Sequence, residues 1–143
     1  MAFVVRNLTE AEYEEFRIGE FLGSGRCAVD EERDAILVNR GGGGRNESPD
    51  YRCEFRWKGY MVTFRSPISG GKNHEGINRV YWSIKHLNIP PELRGQEQEL
   101  KQLMKEAIIA YGQNGLTHLP VFKYDVLVIS GLDEQPFKYV PRR

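Results

Sequence analysis

Three kinds of residue in this chain have types and spacing that invite a chemical reading: glycine clusters, histidine or cysteine groups, and clustered charge. Gly41-Gly42-Gly43-Gly44 and Gly70-Gly71-Lys72-Asn73 suggest a phosphate-cradling loop, because consecutive backbone amides can bind an anion. Neither completes one. The first lacks a following Gly-Lys-Ser/Thr, and the second lacks both the earlier glycine and a hydroxyl residue after Lys72. His74-Glu75 begins like a zinc-protease helix, yet position 78 is Asn and the second ligand is missing. His74, His86 and His118 share no metal spacing, and Cys27 and Cys53 form no Cys-x-x-Cys pair. Ser24 lies between glycines, but a nucleophile elbow needs Gly at positions held by Leu22 and Arg26. The two cysteines read as structural thiols, Cys53 on the inward face of its strand. With no catalytic signature, metal site or cofactor motif, the chain reads as a non-enzyme.

Composition sets the frame for what remains. The chain has 143 residues, 40% hydrophobic and 28% charged, an ordinary mix for one globular domain spanning 1–143. Twenty Lys and Arg against twenty Asp and Glu cancel, so no global field draws it to nucleic acid or membrane. Apolar runs such as 126–129 fall far short of the roughly 20 residues that span a bilayer. The N-terminus carries no basic region and no cleavage site. With two free thiols this predicts a cytoplasmic protein.

Zero net charge hides an asymmetry. Residues 1–34 hold nine acids against four bases, and residues 35–94 hold ten bases against five acids. The acidic third, with Glu10, Glu12, Glu14, Glu15 and then Asp30, Glu31, Glu32, Asp34, suits docking to a basic partner. The basic stretch, with Arg52, Arg56, Lys58, Arg65, Lys72 and Arg79, suggests a nucleic-acid groove with Tyr51, Phe55, Trp57, Tyr60, Phe64, Tyr81 and Trp82 as stacking platforms. Phase opposes that. Most of these aromatics alternate out of step with the arginines, which puts the two sets on opposite faces, so core packing is the better account of them.

These residues need elements to position them. Thr9 and Glu12 form a capping box for a short helix running to Phe16, with Leu8 and Tyr13 spaced for a hydrophobic staple. Residues 17–22 alternate as a strand, and 23–25 turn. Residues 35–38 read as a strand, and 41–49 as a mobile glycine-rich loop. Residues 51–57 and 60–66 alternate around Lys58-Gly59, the signature of a hairpin with a primed turn. Residues 80–89 read as one long strand ended by Pro90-Pro91, with a helix as the alternative. Leu100, Leu103, Met104, Ala107, Ile108 and Tyr111 make one apolar stripe on a helix over 96–111, with Gly112 placed as its C-terminal cap. Residues 121–130 read as a central strand, and the proline-containing tail from Gly131 as a surface wrap. The predicted fold is α+β: a largely antiparallel sheet of about five strands, one long helix packed on a face, and a short N-terminal helix.

Tyr81-Trp82-Ser83-Ile84-Lys85-His86-Leu87-Asn88-Ile89-Pro90-Pro91-Glu92-Leu93, running into the helix from Glu97-Gln98-Glu99-Leu100 to Ala110-Tyr111-Gly112, resembles segments of bacterial immunity proteins of polymorphic toxin systems, including contact-dependent growth inhibition. The resemblance covers about a fifth of the chain. It implies a cytoplasmic protein that binds one cognate toxin and neutralises it by contact. A nuclease-type toxin is basic, so carboxylates would mimic its phosphates. On that reading Glu12, Tyr13, Glu15, Asp30, Glu31, Glu32 and Asp34 contact the partner, with Tyr13 the aromatic anchor. A nucleic-acid-binding module using 35–94 ranks second as a function, and an enzyme with a dispersed site last.

Overall fold

Alternating burial builds most of this molecule. The computed structural model describes residues 3–18, 25–41, 50–114 and 124–141. Among them nine strands and two α-helices follow the order β1 (Val4–Asn7), α1 (Glu10–Phe16), β2 (Arg26–Asp30), β3 (Ala35–Asn39), β4 (Asp50–Trp57), β5 (Tyr60–Lys72), β6 (Asn78–Ser83), β7 (Lys85–Asn88), α2 (Glu97–Asn114), β8 (Val126–Ser130) and β9 (Phe137–Tyr139). From β1 to β6 each strand pairs antiparallel with the next. After α2, β8 pairs β6 in parallel and β9 pairs β8 antiparallel. β7 pairs β5, beyond the segment of β5 that β6 occupies.

The fold therefore departs from the expected one: the sheet is mixed and nine-stranded, not largely antiparallel with about five strands. Four strands account for the difference. β1 and β9 have 4 and 3 residues, too few to display alternation over the roughly 4–8 residues that make it readable. β2 runs from Arg26 to Asp30, with charge at both ends masking its apolar centre. The stretch 80–89 divides in two because the Ile84 amide leaves β5 and donates to the Ser130 carbonyl on β8 at 2.8 Å. The parallel β6–β8 pair needs a helical crossover, which α2 supplies.

Other readings of the chain meet mixed outcomes. The capping box forms, with Thr9 and Glu12 exchanging both bonds, but Arg17 sits at φ 53° and caps α1 instead of opening a strand. Leu8 packs with Phe16, Cys27 and Val38, while Tyr13 stays 42% exposed. The hairpin turn is primed: Lys58 has φ 55° and Gly59 φ 81°. Gly112 does not end α2, which continues to Asn114. A Cβ there would stand 3.3 Å from the Tyr124 ring. Residues 19–24, 42–49, 115–123 and the remainder of the expected strand 17–22 lie outside the described residues.

The two faces of the sheet are used differently. On one, Ala28, Leu37, Cys53, Phe55, Val62, Phe64, Ile68, Val80 and Trp82 pack with Leu100, Leu103, Met104, Ala107, Ile108 and Tyr111 of α2 to form the main core. On the other, α1 covers only the β1–β4 half, through Leu8 and Phe16 on Cys27 and Val38. Seven residues are about two turns, too short to shield the whole face. Among the described residues no helix covers the rest of that face, carried by β5 to β9, and this bare half keeps its outward side chains exposed or half-buried except for Val128.

Candidate functional site

The acidic residues picked out in sequence do not gather into one surface. Glu12 receives both Arg6 nitrogens at 2.8 and 3.0 Å as well as the Thr9 amide. Arg6 and Thr9 hold its carboxyl down at about 2. Glu15 pairs with Arg56. Asp30 is buried and accepts from Arg33 Nε at 2.6 Å, and that bond holds its pKa below the usual carboxylate value. Asp30 lies on the α2 side, since Arg33 also reaches Glu106 of α2 at 3.0 Å. Glu12 and Asp30 thus belong to opposite faces. Tyr13 is exposed, with its hydroxyl against the Gly25 backbone, where an added Cβ would fall 2.4 Å away. Glu31, Glu32 and Asp34 are exposed in the β2–β3 turn, as are Glu10 and Glu14 on α1.

The basic residues divide as well. Arg56 is drawn under α1: it pairs with Glu54, which is 2% exposed, and lies 4.1 Å over the Phe16 ring. Arg52, at the end of β4 away from Arg56, and Arg65 on the bare half stay exposed. They are register partners across β4 and β5, and Lys85 of β7 is the register partner of Arg65 on its other side. Arg40, just past β3, donates its amide to the Arg52 carbonyl and its Nε to the Phe16 carbonyl at 2.9 Å. Four cations thus stand in a row across four neighbouring strands.

Beside this row lies a groove of about 260 Å³ lined by Asp50, Arg65, Pro67, Lys85 and His86. Asp50 opens β4 and opposes Pro67 in register. Its Oδ2 accepts from Arg65 Nη2 at 2.7 Å, which orients the guanidinium. His86 is exposed and sits at φ 55° where the β5–β7 register slips by one residue. A left-handed backbone is uncommon for a residue with a Cβ, although His tolerates it better than most. The bulge swings this imidazole to the groove wall.

Beyond the groove the outward positions of the sheet include Arg79 and Tyr81 on β6 and Lys138 on β9, all exposed. Across β5 to β9 there is no Asp or Glu, and five residues are Lys or Arg. Asp50 is the carboxylate that meets this set. Tyr81, 42% exposed, is in phase with Arg79, whereas Tyr51, Phe55, Trp57, Phe64 and Trp82 are buried in the core. The phase objection holds for those five and fails for Tyr81. Sequence reasoning passed over Asp50, Lys85 and His86 because they meet only through cross-strand register. The readable signal was the absence of carboxylates from the segments 60–72, 78–83 and 85–88.

Nucleophile and metal chemistry find little here. Burial pushes the Cys27 thiol up to about 11 and the Cys53 thiol up to about 12, so neither supplies thiolate near neutral pH. His74 and Glu75 stand in the exposed β5–β6 turn, not on a helix. Among the described residues no group of three or more His, Cys, Asp or Glu could hold a metal ion, and no helix is long and apolar enough to cross a membrane. In comparison with known proteins, no family description, no curated protein and no solved structure matches the chain.

Proposed function

We propose that this chain is a binding protein whose working surface is the bare half of its sheet, and that its partner is a single-stranded nucleic acid. The observation that carries this reading is the one-sided charge of β5 to β9, where exposed Arg65, Lys85, Arg79 and Lys138 share an outward face with Tyr81. A strand crossing a sheet needs cations for its phosphates and an aromatic surface for a base, both on the same side. Thr63, Ser69, Ser83 and Ser130 occupy further outward positions and offer hydroxyls to sugar or phosphate. The part under α1 could not serve, because Arg6, Arg40 and Arg56 there are already engaged.

Binding of labelled single-stranded DNA and RNA, followed by fluorescence anisotropy between about 50 and 200 mM salt, tests the reading. Affinity falls steeply with salt, and each phosphate contact removed lowers the logarithmic slope by about 0.7. Absence of binding at the lowest salt, or binding indifferent to salt, removes nucleic acid from consideration.

A second reading keeps the resemblance to immunity proteins: contact with a basic toxin domain in the cytoplasm. It is favoured by Glu10, Glu14, Glu31, Glu32 and Asp34, which are exposed and form no ion pair among the described residues. Co-expression with the 3′ end of the reading frame immediately upstream tests it. Killing that this protein relieves supports the reading. Killing it does not relieve, or no killing, counts against it.

A further inference from the structure

We propose that the groove walled by Arg65, Lys85 and His86 is a seat for a doubly charged phosphate monoester. On the nucleic-acid reading above, on which this assignment of the occupant rests, that group is the terminal phosphate of the bound strand.

Like charges placed directly opposite on neighbouring strands destabilise a sheet. Here two such pairs stack side by side, Arg52 against Arg65 and Arg65 against Lys85. Arg40 extends the row, but its charge answers the C-terminal carbonyl of α1. Among the described residues Asp50 is the single carboxylate beside the remaining three cations, and its two oxygens take the Nε and Nη2 edge of Arg65, at 3.4 and 2.7 Å. Among the described residues no hydrogen bond engages Nη1, the edge that would meet a second anion. Among the described residues the row of Arg52, Arg65 and Lys85 with Asp50 carries two net positive charges, with Arg65, Lys85 and Asp50 lining the groove and Arg52 standing beside it. A phosphate monoester carries about 1.5 to 2 negative charges at neutral pH, and an internal phosphodiester carries one. The charge of the row therefore matches the end of a strand better than its interior. His86, placed in the lining at the left-handed bulge, adds a nitrogen donor. A free protein gains nothing from a row of repelling cations, and a ligand that neutralises them accounts for it.

The test has two arms. In the first, amide resonances of the wild-type protein are followed by NMR as inorganic phosphate replaces chloride at constant ionic strength. Shifts confined to Asp50, Arg65, Lys85, His86 and their neighbours are expected, and Lys85→Gln abolishes them. The same substitution relieves one like-charge pair, so the thermal midpoint of the phosphate-free variant rises by about 1 °C. Arg52→Gln serves as a second variant with the same double signature. Shifts scattered over Arg79 and Lys138, or unchanged in both variants, overturn the seat. In the second arm, 5′-phosphorylated, 3′-phosphorylated and unphosphorylated oligonucleotides of one sequence are compared. One phosphorylated end binds about tenfold tighter in the wild type, the scale of one charge-assisted hydrogen bond, and the gain vanishes in Lys85→Gln. Equal, measurable binding of all three leaves the strand-binding reading intact and overturns the terminal-phosphate assignment. Loss of all three together with phosphate shifts at the groove overturns the strand-binding reading and supports the seat.

Discussion

One face of a single sheet carries two halves with opposite charge logic. In the half under α1, charges come matched: Arg6 with Glu12, Arg56 with Glu54 and Glu15, and Arg40 with the helix C-terminus. Apolar Leu8 and Phe16 seal the space between them. In the bare half, cations outnumber carboxylates across five strands, and nothing among the described residues packs over them. Arginine thus does two jobs. Under the helix it neutralises buried carboxylates and holds an element in place. On the open strands it repels its neighbours and is available to a partner. The contrast teaches that charge density along a chain says where charge is, while pairing decides what the charge is for.

Removing an arginine from each half should separate the two jobs. Arg56→Ala leaves Glu54 buried without its partner and should lower stability by about 3 kcal/mol, read by urea denaturation. A loss under about 1 kcal/mol would mean the matched half is held by packing alone. Replacing Arg65 and Lys85 by Gln should leave stability near wild type and weaken oligonucleotide binding about tenfold, lowering the salt slope by about 1.4 for two lost phosphate contacts. If the order is inverted, with the bare half carrying stability, the comparison collapses.

Smaller effects sharpen the picture of the covered half. Glu12→Gln breaks the capping box and the Arg6 pair and should cost about 1 kcal/mol. Its pH dependence has a defined sign. The folded carboxyl is held at about 2 against an ordinary value of 4.5, so its contribution is complete above that ordinary value. It is lost as pH falls towards 2. Stability of the wild type should therefore drop more steeply than that of the variant over this window, and parallel acid limbs would show that Glu12 contributes nothing through its charge. Reversing Glu10, Glu14, Glu31 and Glu32 together should shift stability by no more than about 0.5 kcal/mol, because these side chains are exposed. The same variant should lose protection in the toxin co-expression assay if that reading holds.

Legibility in the sequence followed length and symmetry of pattern. The capping box at Thr9, the turn at Lys58-Gly59 and the apolar stripe of α2 were readable because each depends on residues within a few positions of one another. β1 and β9 were not, because three or four residues cannot display a period. The break at Ile84 was not, because it is a choice between two partner strands far apart in the chain. Of the acidic contact set, Glu31, Glu32 and Asp34 remain exposed as expected, whereas Glu12, Glu15 and Asp30 are engaged within the protein. Their arginine partners lie 6, 41 and 3 residues away, and nothing in composition distinguishes an engaged glutamate from a free one.

Local chemistry alone determined the two helices, the primed hairpin, the inward aromatics of β4 and the absence of carboxylates from the strands β5 to β9. These follow from backbone preference and side-chain period, which act over one or two turns of chain. Only the tertiary structure decided which half of the sheet α1 covers, which arginines that cover engages, and that Arg52, Arg65 and Lys85 stand in one row. Those outcomes rest on strand register, where a slip of one residue would turn every side chain to the other face. Register is settled by the packing of the whole sheet against α2, so the row of cations exists only once the core has formed.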